Sequence, residues 1–123
     1  MTTVFTHIIE GRIPGTFVWK DAECVAFLSI NPIAPGHTLV VPRREVDHWI
    51  DLSSSEAAHL YEVARVIGLA QREAFPAERI GLIVAGFEVP HTHIHVIPTR
   101  GMQDLSFANA AESVPREELE RTA

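Results

Sequence analysis

The chain has 123 residues with ten basic and sixteen acidic side chains, and its formal net charge of −6 excludes the basic surface that duplex nucleic acid requires. Hydrophobic residues make up 46% of the chain and no apolar run could span a bilayer, so we expect one domain without a membrane or nucleic-acid partner. The single cysteine permits no internal disulfide and the start of the chain lacks a signal-peptide pattern, so we expect a cytoplasmic protein.

The first predicted elements are a short helix and a strand hairpin. Apolar residues recur at helical spacing between residues 3 and 10, and the glycine that follows ends this helix. Residues 16–19 and 24–28 have the composition of strands and are separated by a turn, which predicts a hairpin. A loop with two prolines leads to a third strand over residues 37–42, and His37 lies at its start.

A long helix comes next in the chain. Ser53 and Glu56 form a capping-box pattern at its start, and apolar residues recur at helical spacing until a proline ends the helix near residue 75. His59 occupies a polar position of this helix, where we expect it to be exposed. A fourth strand is predicted over residues 79–85, and the sequence shows no repeat or second domain.

Three histidines alternate with other residues in the stretch that follows. Because side chains on a strand alternate between faces, a strand here would place His91, His93 and His95 on one face and β-branched residues on the other. A solvated polar face is one interpretation of this pattern. A metal site is a second, since histidine is the commonest metal ligand. The third is a cluster in which one imidazole is a nucleophile and its neighbours set its protonation.

This histidine run, followed by apolar residues, resembles the signature of the histidine triad (HIT) family of nucleotide hydrolases and transferases. Three other stretches agree with the family in order and spacing, namely residues 4–14, 26–32 and 35–42. The resemblance implies an α+β fold, with an antiparallel sheet of about five strands, a long packed helix and a short N-terminal helix. It also implies a HIT domain over residues 1–101. The tail, residues 102–123, would belong to the same domain or help to select the substrate, and the chain would form a homodimer.

The resemblance assigns a role to each of four histidines. His93 would be the nucleophile that attacks the α-phosphorus of a nucleotide and forms a nucleotidyl-histidine intermediate. His91 and His95 would position and polarise His93 and the phosphate, and His37 would hold the phosphoryl group or set protonation. This chemistry needs no cofactor and no metal.

The resemblance also implies a binding slot for a purine nucleotide. Ser29 occupies the position where the family usually carries an aspartate that contacts the ribose hydroxyls, and a serine offers only one oxygen there. The apolar residues that match the nucleobase slot are Val4, Phe5, Ile8, Phe27 and Ile30.

Two departures from the family pattern bear on function. Some members bind a structural zinc through two cysteines and two histidines, and three of those positions are Thr3, Thr6 and Glu45 here, so we predict no structural zinc. The loop before the triad lacks the family's asparagine, and Phe87 and Glu88 replace its polar pair. We hypothesise that Glu88 favours a positively charged leaving group, such as an amine.

Three functions remain open from the sequence. The first is a hydrolase or nucleotidyl transferase that acts on a nucleoside phosphoramidate or a dinucleoside polyphosphate, with the shorter chain favouring the phosphoramidate. The second is a purine-nucleotide binding protein with little or no turnover, which the altered loop favours. The third is a metal-dependent hydrolase in which the three triad histidines are ligands.

Overall fold

A computed structural model, which describes residues 3–111 and 114–123, contains one five-stranded antiparallel sheet with strand order β1-β2-β3-β5-β4. The α+β prediction is therefore confirmed. In chain order the elements are α1 (Val4–Ile9), β1 (Phe17–Lys20), β2 (Cys24–Leu28), β3 (Thr38–Pro42), α2 (Ser54–Ala74), β4 (Arg79–Ile83), β5 (Ile94–Thr99) and α3 (Arg116–Thr122).

The long helix α2 begins with the predicted capping box. The Ser53 hydroxyl accepts a hydrogen bond from the Glu56 N–H at 3.1 Å, and the Glu56 carboxylate accepts one from the Ser53 N–H at 2.9 Å. The apolar face of α2 packs on the sheet through Leu60, Val63 and Ile67, which are all buried. Burying each of these side chains contributes about 1.5–3 kcal/mol. Helix α2 therefore covers one face of the sheet and excludes solvent from it.

The other face of the sheet carries a second apolar cluster, which includes α1. Phe5 of α1 packs there on Val25, Phe27 and Leu39. Leu39 of β3 is paired with His95 of β5, and the antiparallel register places His37 close to His95. The side of the sheet opposite α2 is therefore the side on which the histidines can meet.

The prediction of one strand through all three triad histidines is wrong, because β5 begins only at Ile94. Ahead of it the backbone makes other hydrogen bonds, from the His91 N–H to the Val89 carbonyl and from the Thr92 N–H to the Val46 carbonyl. His59 was expected to be exposed, but its side chain is only 33% exposed and lies against Asp21. No helix within the described residues is long and apolar enough to cross a bilayer.

Candidate active site

A cavity of about 540 Å³ opens on the α1 side of the sheet, within the size range of small-molecule sites. His37, His93 and His95 line it, but the side chain of His91 does not. The cavity is also lined by all six residues of the predicted nucleotide slot: Val4, Phe5, Ile8, Phe27, Ser29 and Ile30.

One ring nitrogen of His93 is unprotonated and carries a free lone pair. Its Nδ1 lies 2.7 Å from the carbonyl oxygen of His91, and a carbonyl only accepts, so Nδ1 carries the proton and donates. In the neutral ring, Nε2 is then unprotonated and nucleophilic. The ring of Phe5 packs against His93 in an edge-on arrangement, with ring centroids 4.8 Å apart, and holds its orientation.

His37 and His95 form a hydrogen-bonded pair whose proton positions can be deduced. The backbone N–H of Ile33 donates to His37 Nδ1 at 3.0 Å, so the proton of neutral His37 is on Nε2. His37 Nε2 lies 2.9 Å from His95 Nδ1 and therefore donates to it. His95 then carries its own proton on Nε2. The ring centroids of His93 and His95 are 4.8 Å apart. The unprotonated Nε2 of His93, an acceptor, and the protonated Nε2 of His95, a donor, therefore belong to neighbouring rings.

Burial keeps these imidazoles uncharged at neutral pH. It lowers the pKa of His37 to about 4, and the pKa of His95 to about 3, with the neighbouring histidines adding to the effect. Burial also lowers the pKa of His93, although the His91 carbonyl and the charge of Glu88 act in the opposite direction. The His93 imidazole is therefore neutral at physiological pH and keeps one unprotonated nitrogen.

His91 lies behind the cavity and is fully buried. Its Nε2 is 2.8 Å from the Pro42 carbonyl and donates to it, while its Nδ1 accepts from the Thr3 hydroxyl at 2.8 Å. Both ring nitrogens are thus engaged, so His91 has no lone pair to offer a metal alongside His93 and His95. It is the backbone carbonyl of His91, and not its ring, that contacts the His93 imidazole.

The predicted slot is deepest at its two phenylalanines. Phe5 and Phe27 are buried and contact each other edge-on, with ring centroids 5.6 Å apart. Ile30 is 61% exposed and lies at the rim. The Ser29 hydroxyl accepts a hydrogen bond from the backbone N–H of Asn31 at 3.1 Å, which leaves its own proton for another acceptor.

Several residues around the cavity carried no signal in the sequence. The Thr16 hydroxyl is buried and has no hydrogen-bond partner among the described residues. Phe107 and Arg116, from the tail, also line the cavity, and the Phe107 ring lies edge-on to His95 with ring centroids 4.8 Å apart. The Ala111 N–H donates to the Pro32 carbonyl at 3.0 Å and ties the tail to the loop before β3. Only these long-range contacts identify the tail as a wall of the cavity.

The four positions that the resemblance connects with zinc do not suit that metal. The Glu45 carboxylate accepts from the Thr3 N–H at 2.8 Å and from the Thr6 hydroxyl at 2.7 Å, while Thr3 donates to His91. This donor set has no thiolate, and its only imidazole directs both nitrogens elsewhere. The four residues instead tie α1 to the segments that follow β3 and precede β5.

Known proteins share this fold and much of the sequence. The chain is 37% identical to an uncharacterised HIT-like protein of Saccharolobus solfataricus, over 96% of this chain and 86% of that protein. It is 39% identical to the asymmetrical bis(5′-nucleosyl)-tetraphosphatase of Schizosaccharomyces pombe, over 67% of this chain and 48% of that protein.

A solved structure is similar over nearly the whole chain. The crystal structure of a hypothetical histidine triad nucleotide-binding protein from Sulfolobus tokodaii matches with a TM-score of 0.82 and 26% identity, over 96% of this chain and 85% of that one. Residues 10–102 also match the model of the HIT domain. With the triad and its cavity in place, these matches make the chain a member of the HIT family.

Proposed function

We propose that this chain transfers the nucleoside monophosphate group of a purine nucleotide first to His93 Nε2 and then to water. The observation that carries the proposal is the pairing of an unprotonated nitrogen on His93 with an N–H on His95, at the wall of one apolar cavity. A nucleophile and a donor to the phosphoryl oxygens are the two groups that such a transfer requires.

The reaction would proceed in two displacements. His93 Nε2 forms a bond to the α-phosphorus while the bond to the leaving group breaks. In a phosphoramidate the nitrogen takes up a proton from solvent and leaves as a neutral amine when the P–N bond breaks, and in a dinucleoside polyphosphate the remaining phosphates leave as an anion. The His93 ring becomes positively charged in the intermediate, and the hydrogen bond from Nδ1 to the His91 carbonyl stabilises that charge. Water then attacks phosphorus, its proton passes to solvent, and the bond to His93 breaks.

The cavity suits the rest of a nucleotide. The apolar part of the cavity, which Phe5 and Phe27 line together with Val4, Ile8 and Ile30, would receive the base. The Thr16 hydroxyl, which has no partner among the described residues, would hydrogen-bond to a polar edge of the base. Ser29 would contact the ribose with one hydroxyl, and Arg116 would supply positive charge for the phosphates. These assignments support a nucleotide over an apolar ligand.

The relatives also favour a nucleotide substrate. The Schizosaccharomyces pombe protein is named for hydrolysis of a dinucleoside tetraphosphate, and the Sulfolobus tokodaii protein for nucleotide binding. We accordingly propose two substrate classes, the nucleoside phosphoramidates and the dinucleoside polyphosphates.

The proposal is tested by intact-protein mass spectrometry within seconds of mixing with adenosine 5′-phosphoramidate. We expect a transient adenylyl adduct followed by release of AMP. The alternative, a binding protein with little or no turnover, is favoured by the altered loop, in which Phe87 is 96% exposed and Glu88 lines the cavity. Tight nucleotide binding without adduct or AMP would contradict the enzyme and establish this alternative.

Replacement of Glu88 should change the pH dependence of the reaction rate. Its negative charge raises the pKa of His93, so Glu88→Gln should lower that pKa and move the acid limb of the kcat/KM profile to lower pH. If Glu88 also stabilises the positive charge on the protonated nitrogen of a phosphoramidate, Glu88→Gln should lower the preference for a phosphoramidate over a dinucleoside polyphosphate by about two- to fivefold, the range of an exposed charge pair. Rates with both substrates between pH 5.5 and 8, where we expect the chain to stay folded, measure both effects.

The control for Glu88 is Glu73→Gln, because Glu73 is exposed on α2, on the other side of the sheet. It should leave the pH profile and the substrate preference unchanged. A Glu88→Gln protein with the native acid limb would show that this carboxylate does not influence His93, and unchanged preference would remove its proposed role in choosing the leaving group.

We propose further that the chain forms a homodimer through the edge of the sheet at β4. Within the described residues one edge of this strand is unpaired, and its Leu82 is 43% exposed. Tyr61 and Leu69 of α2, which are 64% and 41% exposed, line the same surface depression as Leu82. Light scattering should give twice the 13.6 kDa chain mass, and Leu82→Glu should give monomers. Lys20→Glu, on the opposite edge strand β1, is the matched control and should stay dimeric. A monomeric native protein would contradict the proposal.

A further inference from the structure

A second cluster of polar side chains lies on the other side of the sheet from the cavity. Asp21 belongs to the turn between β1 and β2, Cys24 begins β2, and His59 projects from α2. Cys24 belongs to the core cluster that packs on α2, whereas the cavity lies on the α1 face. This group therefore takes no part in the chemistry proposed for His93.

One potential ligand atom from each of the three side chains lies close to the other two. Asp21 Oδ2 lies 2.7 Å from His59 Nε2 and 3.6 Å from Cys24 Sγ, and the three ligand atoms all lie within 4.8 Å of one another. The ligand atoms of a tetrahedral zinc site are separated by roughly 3–4 Å, as bond lengths of 2.0–2.3 Å require. A shift of about half an ångström in the imidazole would make room for an ion between them.

Surrounding groups already hold two of these ligands in place. Asp21 Oδ1 accepts from the backbone N–H groups of Glu23 and Cys24, at 2.7 and 2.8 Å, which fixes the plane of the carboxylate. The Glu23 carboxylate lies 3.4 Å from Nδ1 of His59, on the far side of the ring from the proposed ligand atom. A carboxylate behind a histidine is the arrangement that orients metal-binding imidazoles in proteins.

We propose that Asp21, Cys24 and His59 bind a divalent transition-metal ion of the zinc class. Binding requires the Cys24 thiol to release its proton and His59 Nε2 to be unprotonated, so that the ion replaces the hydrogens that these two groups direct at Asp21 Oδ2. The indole N–H of Trp19 also donates to Asp21 Oδ2, at 2.7 Å, and would remain as an outer partner of this ligand. The fourth position is open to water, because the side chains of His59 and Asp21 are 33% and 25% exposed. The ion would join the β1–β2 turn to α2 and stabilise the fold.

Cobalt(II) is the probe for this site, used with the full native chain. The chain contains one cysteine, so a thiolate-to-cobalt charge-transfer absorption can arise only from Cys24. We expect this band to saturate at one equivalent of Co²⁺, zinc to displace the cobalt, and thermal stability to rise with metal concentration.

Three variants identify the ligands. Cys24→Ala should remove the charge-transfer band. His59→Gln should weaken cobalt binding by more than the roughly 10- to 100-fold that follows loss of an outer-shell partner, and Glu23→Gln should weaken it by about tenfold. His93→Ala should retain the band, because the triad lies on the other face of the sheet. His59 lies on the helix surface, so its variant remains informative even if the buried Cys24 variant does not fold.

The outcomes separate this site from a purely hydrogen-bonded cluster. No thiolate band with the native chain, or cobalt binding that His59→Gln leaves unchanged, would overturn the proposal and show that protons alone join these groups. Cobalt bound without the thiolate band, and lost in His93→Ala, would instead place the metal at the triad.

Discussion

Replacement of His93 by alanine should abolish the nucleotidyl adduct and reduce kcat by about 10⁴- to 10⁶-fold, the scale seen when a nucleophile of a covalent enzyme is removed. Nucleotide affinity should change much less than kcat, because the base slot is formed largely by other residues, among them Val4, Ile8 and Phe27. The measurements are intact mass after mixing, steady-state rates, and Kd for a non-hydrolysable nucleotide by calorimetry.

The control for this experiment is His48→Ala, since His48 is exposed and does not belong to the residues that line the cavity. It should retain native rates. A His93→Ala protein that still forms an adduct would assign the nucleophile to another residue. Equal loss of affinity and rate would instead show that His93 contributes to binding rather than to chemistry.

The second large effect is a loss of stability in mild acid. His37 and His95 have pKa values of about 4 and 3 in the folded chain, below the usual 6.5, because burial disfavours their charged forms. In the unfolded chain both imidazoles take up protons as the pH falls below 6.5. Between pH 6.5 and 4 the unfolded state therefore binds more protons, and stability must fall as the pH falls.

The size of this effect follows from the proton count. Each such histidine contributes up to about 1.4 kcal/mol per pH unit, so these two alone lower the free energy of unfolding by about 3 kcal/mol between pH 6.5 and 5. Burial lowers the pKa of His91 and His93 in the same direction. Since single domains are stable by only about 5–15 kcal/mol, we expect unfolding to become measurable near pH 5.

Urea unfolding curves at pH 7, 6 and 5 measure this dependence. His95→Gln should reduce the mean slope of stability against pH between pH 7 and 5 by about 1 kcal/mol per unit, whatever it does to stability at pH 7. His48→Ala should keep the native slope. Stability that stays constant from pH 7 to 5 would show that the triad imidazoles protonate in the folded chain and are not buried as described.

Much of the fold could be predicted because its signals are local. The capping box at Ser53 and Glu56 and the helical spacing of apolar residues located α2, and β2 has the predicted limits, residues 24–28. The prediction of one strand through the triad was wrong because a strand extends only where a neighbouring strand can pair with its backbone N–H and carbonyl groups. The alternation of residue types does not show where that neighbouring strand begins and ends. The Thr92 N–H bonds to the Val46 carbonyl, outside any ladder, so the strand begins after the first two histidines.

The sequence by itself determined the family and, through that resemblance, the α+β class, since the family signature depends on residue types at fixed local spacing. It also identified part of the cavity lining, namely His37, His93, His95 and the six slot residues, but not Thr16, Phe107 or Arg116. Only the tertiary structure decided which nitrogen of each imidazole carries the proton, because that depends on partners such as the Ile33 N–H and the His91 carbonyl. It also brought the tail to the cavity wall and joined His59 to Asp21, which is 38 positions away in the chain. Such contacts form when the sheet and helices pack, and no local pattern in a single sequence encodes them.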